Sequence, residues 1–210
     1  MNDYLLLNKN ISLLIVPLVI LFILCVGCEN SNHKNESYSQ SAAPIDLPYK
    51  FKNKYAEKLS VKAFSLRKEE KFLEAITVYN EAIEIEPDNP KLFFDVSECY
   101  ADLDKSKEAL LALDNAIKLD SLNAYFYNNK GLIYYRSYQD QDAIREYKKA
   151  IQLDSFNYII HANLSLSYYS LNDILAACKE LRTAKQLGLK QDEIVNQPEM
   201  EKLKRICENQ

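Results

Sequence analysis

The sequence predicts an all-α solenoid: four helix-turn-helix repeats of 34 residues, closed by a C-terminal capping helix. Three observations carry this expectation. Alanines recur at positions 75, 109, 143 and 177, and again at 82, 116, 150 and 184, each series stepping by 34. No proline occurs from residue 91 to 197, as a run of helices requires, because proline removes a backbone donor and clashes inside a helix. Only Gly131 and Gly188 lie beyond residue 27, so phosphate-cradling and dinucleotide-binding loops have no glycines to build on. With 26 basic against 30 acidic residues the net charge is −4 and no basic block exists, so nucleic acid is not expected as a partner. Two histidines, His33 and His161, are too few for a histidine-based metal site. Neither has a serine–acid partner by repeat position, so the sequence points to no cofactor, no metal and no enzymatic activity.

Residues 1–27 read as a targeting segment. From Ile11 to Gly27 there is no charge, and the apolar core ISLLIVPLVILFIL is 14 residues long. That is the length of a signal-peptide apolar region and short for a membrane-spanning helix, which needs about 20 residues. Gly27-Cys28 follows at once. The pattern resembles a bacterial lipoprotein signal, in which a small residue precedes a cysteine that is acylated and becomes the mature amino terminus. Cys25 stands where such signals usually have leucine, and the leading segment is only weakly basic. The resemblance implies lipid attachment at Cys28 and an exported, membrane-anchored protein of the bacterial cell envelope. Stable anchoring takes two or more acyl chains, each contributing about 0.8 kcal/mol per buried CH₂. Residues 28–48 are rich in Asn and Ser and poor in large aliphatics, which predicts a flexible polar tether after the lipidated cysteine.

Residues 49–191 hold the four repeats, at 56–89, 90–123, 124–157 and 158–191. Between the paired alanines stand Tyr79, Leu113, Tyr147 and Leu181; twelve residues before the first alanine comes Ala63, Ser97, Gly131 or Ser165. Alanines at i and i+7 with a large residue at i+4 describe one helical face that a neighbouring backbone approaches closely. The pattern resembles the tetratricopeptide repeat, whose signature places large, small and alanine residues at these offsets. Its usual tryptophan is replaced here by Leu59, Phe93, Tyr127 and His161, and its closing proline remains only as Pro87. His161 therefore reads as a packing residue. In residues 192–210, Ile194, Met200, Leu203 and Ile206 fall near helical spacing, with Pro198 suited to a first turn. They form the predicted cap.

Three cysteines follow Cys28. Cys99 aligns with small and aliphatic residues and reads as buried. Cys178 aligns with Ile76, Leu110 and Ile144 on the face that meets the following helix, which for the last repeat is the cap carrying Cys207. In an exported protein the two either form a disulfide clamping the cap or remain two buried thiols. Glu69, Glu70, Glu84, Glu86 and Glu180, interspersed with lysines, read as solvated helix surface.

The resemblance also implies where a partner docks, since the first helix of each such repeat lines a concave groove. Its groove positions map onto Phe64, Arg67 and Lys68; Phe94, Asp95, Glu98 and Asp102; Tyr125, Asn128, Asn129, Leu132, Tyr135 and Arg136; and Ile159, Asn163, Leu166 and Tyr169. Asn129 and Asn163, 34 apart, are expected to stack as an amide ladder able to hold an extended peptide backbone. The expected function is a scaffold for a protein or peptide partner. The competing expectation is a structural accessory subunit of an envelope assembly or nutrient-uptake complex.

Overall fold

The computed structural model describes residues 47–190 and 198–209, all within the unit Pro44–Gln210. The signal segment, Cys28, most of the tether and Ile194 lie outside the described residues. Among those described, nine α-helices and no strand occur. They are α1 (Lys54–Lys68), α2 (Phe72–Ile85), α3 (Pro90–Asp102), α4 (Ser106–Leu119), α5 (Ala124–Arg136), α6 (Asp140–Leu153), α7 (Tyr158–Ser170), α8 (Ile174–Leu187) and α9 (Pro198–Glu208). Each odd-numbered helix up to α7 packs against its successor, and each pair packs against the next, which is the stacking that repeat units need to bury their second apolar face.

Local chemistry repeats with the fold. Asn53, Asn89, Asn123 and Asn157 stand just before α1, α3, α5 and α7, and each side chain accepts a bond from the backbone N–H two residues on, at 2.8–3.2 Å. Within each repeat the turn passes through one left-handed residue, Glu70, Asp104, Tyr138 or Asn172, with φ between 55° and 60°. The following N–H then reaches back five residues to the helix end, as Lys71 N to Leu66 O at 2.9 Å, which satisfies a free carbonyl. Tyr138 thus occupies the turn, as its spacing implies.

All eight repeat alanines are fully buried, with Tyr79, Leu113, Tyr147 and Leu181 between them. The last pair is closed by α9, where Met200 and Leu203 are buried against α7 and α8, and Cys207 is bonded to Cys178 with Cα atoms 5.4 Å apart. Three expectations need correction. Leu47, assigned to the tether, is only 5% exposed and belongs to the core. Glu86 is buried, accepting from Asn53 N and from Asn89 Nδ2, because the turn after α2 folds it over the next helix start. Glu180 lies 2.7 Å from Nδ1 of His161, which is itself buried, so it is a packing partner of that ring and not solvated surface.

Candidate functional site

First helices approach one another across repeats, α1 with α3 and α5 with α7. The face that these first helices share is the inner surface. On it, Arg67 bridges Glu98 and Asp102, the latter at 2.7 Å from Nε, and Lys91 binds Asp95 at 2.6 Å. Asp95 is buried, and burial raises its carboxyl against the pull of Lys91. Burial also pushes Glu98 up to about 7, while the Arg67 guanidinium holds it down in part. Phe64, 37% exposed, stands beside this cluster with Lys68 Nζ 5.0 Å above its ring.

The middle of the surface is more closed than its positions suggest. Phe94 is buried, its ring 5.2 Å from that of Tyr125 and 5.8 Å from that of Phe126. Tyr135, Asn128, Asn163 and Leu166 are buried too, while Tyr125, Asn129, Leu132, Arg136, Ile159 and Tyr169 are half-buried. The amide ladder takes a different register from the one expected. Asn163 Nδ2 donates to Asn128 Oδ1 at 3.0 Å, and Asn129 turns back to donate to Tyr125 O at 2.8 Å. Side chains 35 apart thus meet where 34 was assumed; Arg67 and Asp102 show the same offset. Asn163 Oδ1 and Arg136 Nε are buried without a hydrogen-bond partner among the described residues. No group of three His, Cys, Asp or Glu among the described residues is placed to hold a metal ion.

A family of tetratricopeptide repeats matches at residues 60–89 and 124–157, the first and third repeats. The chain carries tetratricopeptide repeats. Solved structures agree on the fold. A crystal structure of MamA has 20% identity and a TM-score of 0.59, covering 63% of this chain and 77% of that one. The MamA fragment 41-end from Desulfovibrio magneticus RS-1 has 21% identity and a TM-score of 0.59 over 65% of this chain and 77% of that one. Another MamA crystal structure has 19% identity and a TM-score of 0.58 over 72% and 89%. No curated protein is significantly similar in sequence. Tetratricopeptide repeats of this kind serve as scaffolds for protein–protein interaction and are typically not enzymes.

One set of contacts lies outside the groove positions of the tetratricopeptide pattern. Tyr49 binds Asp120 and Asn123, between the second and third repeats, and Leu47 joins the apolar cluster beside them. From the sequence alone Leu47 falls at the end of the tether and Tyr49 just ahead of the first helix, with no contact to the second and third repeats expected of either. The available signal was the recurrence of an acid three residues before three of the four cap asparagines, at 86/89, 120/123 and 154/157.

Proposed function

We propose that the protein is a lipid-anchored scaffold of the cell envelope that holds a protein or peptide partner on its inner surface. The anchor rests on the sequence of residues 1–28. The inner-surface reading rests on one observation: apolar side chains that keep part of their surface open, Phe64 on α1, Tyr125 and Leu132 on α5, and Ile159 and Tyr169 on α7, lie on three of the four first helices. Such a row spreads contact over several repeats, and the amides and charges beside it supply polar complement. Among the described residues no helix is long and apolar enough to cross a membrane.

The test is capture of partners by the intact anchored chain with in-cell crosslinking. Changing Phe64, Leu132 and Tyr169 together to alanine should weaken capture, since aromatic anchors typically contribute about 2 kcal/mol or more. The melting temperature should move little, because none of the three is fully buried. Exposed Leu73, Leu111 and Leu175 on second helices provide the contrast. Capture that survives the inner-surface changes but is lost when these leucines become serine would overturn the reading and favour an accessory subunit packed by its outer face.

A further inference from the structure

At each of the three junctions between repeats an acid precedes an asparagine by three residues. At the first and third, the asparagine donates directly to the acid: Asn89 Nδ2 to Glu86 and Asn157 Nδ2 to Asp154, both at 3.2 Å. The second is built differently. There Asn123 Nδ2 donates to Tyr49 Oη at 2.8 Å, and that hydroxyl donates to Asp120 Oδ2. A phenol is threaded into a pair that closes on itself elsewhere.

The rest of the segment is seated with it. The Tyr49 ring stacks on Phe126 with centroids 6.1 Å apart. Leu47 is buried in the cluster that contains Phe94, Leu113 and Phe126. Tyr49 N donates to Leu47 O at 2.8 Å, which folds the backbone tightly around Pro48. These residues precede the first helix yet contact side chains 71 and 74 positions later. A short segment held by one leucine, one ring and one hydroxyl has the form of a bound peptide.

We propose that the junction between the second and third repeats is a docking site for a Leu-x-Tyr segment, that Leu47–Tyr49 fills it in cis, and that a partner protein presenting the same chemistry displaces this strap. The phenol is read specifically. It offers one donor and one acceptor together, which matches one carboxylate and one amide, whereas phenylalanine offers neither. Release leaves nothing stranded, because Asp120 and Asn123 can then bond each other as the other two junction pairs do. Burial and the bond to Asp120 push the Tyr49 hydroxyl up to about 12, further from ionisation than a free phenol. The edge continues beyond the strap: Leu122 and Phe156, two residues after Asp120 and Asp154, are 76% and 80% exposed and offer apolar contact to a longer partner segment.

The proposal rests on the reading of the chain as a protein scaffold, but not on the inner-surface row. The test uses the full chain and a fluorescein-labelled peptide PIDLPYKF, the sequence of residues 44–51. A tethered occupant acts at an effective concentration in the millimolar range, so the Leu47→Ala/Tyr49→Ala double variant should bind the peptide at least about tenfold tighter than the wild type. The peptide with phenylalanine in place of tyrosine should lose most of that affinity. In the wild type, the Tyr49 amide should exchange its hydrogen faster than the amides of α4 and α5. Equal binding to both proteins, or none to a double variant with wild-type helical circular dichroism, overturns the proposal. If the double variant does not fold, exchange decides: a Tyr49 amide as slow as those of α5 marks a fixed part of the fold and overturns it as well. Peptide binding that ignores the Phe64, Leu132 and Tyr169 changes separates the two readings. In that case the junction stands whether or not the inner-surface row does.

Discussion

Gly131 occupies the small-residue position of the third repeat, where the others have Ala63, Ser97 and Ser165. A Cβ there would lie 2.7 Å from two ring carbons of Tyr147, which is fully buried sixteen residues later. In the second and fourth repeats serine at this position faces a leucine at the equivalent place, Leu113 or Leu181. Gly131→Ser should therefore destabilise the fold by about 1–3 kcal/mol through overpacking. Adding Tyr147→Leu should recover part of it, as a shift in denaturant midpoint would show; equal loss in both proteins would mean the ring is not the obstacle. A second prediction concerns Glu98. Its carboxyl is raised from 4.5 to about 7 by burial, opposed in part by Arg67. The folded state thus binds the proton more strongly than the unfolded chain does, so this contribution to stability is complete below about 4.5 and lost as pH rises through 7. Glu98→Gln should flatten the decline in unfolding free energy between pH 5 and 7.5, measured by denaturant titration.

Among the elements, the cap depends most on a single bond. Helix α8 ends at Gly188, where φ is +120°, a conformation open to glycine and strained for other residues. Helix α9 then returns to cover α7 and α8 with Met200 and Leu203. Its own length of 11 residues is marginal for an isolated helix, so packing and the Cys178–Cys207 link must hold it. The bonded cysteines are 29 residues apart, and the chain-entropy estimate for such a loop is roughly 3–4 kcal/mol. Peptide mapping of the protein without reductant should recover the linked pair, and reduction should lower the denaturant midpoint. Freely alkylated thiols at both positions would contradict the clamp. Cys99 is buried and outside this disulfide, its thiol pushed up to about 12 by burial.

At the scale of the whole molecule, four repeats together make a surface that none has alone. Leu47 sits at the second-to-third junction, and residues 48–53 lead from there to α1, with Lys52 paired to Asp88 on the way. If Cys28 carries the lipid, Cys28→Ser should release the protein from membranes or stall its processing, as fractionation and labelled fatty acid would show. Equal label on both forms would remove the anchor from the proposed function.

The helical repeats were legible in the sequence because their packing is local: alanines and large residues at fixed offsets describe faces that meet within one pair or the next. Periodicity alone therefore determined the four helix pairs, the small-to-large contacts and the placement of Cys178 toward the cap. The inner surface was legible only as a set of positions. Which of its side chains remain accessible depends on how neighbouring helices pack, and that packing pairs Asn163 with Asn128 and buries Phe94, Tyr135 and Leu166. The seat of Leu47 and Tyr49 was beyond reach for a related reason. Their contacts join segments more than seventy residues apart, and no period in the chain records a contact made once; only the tertiary structure brings a phenol to Asp120 and Asn123.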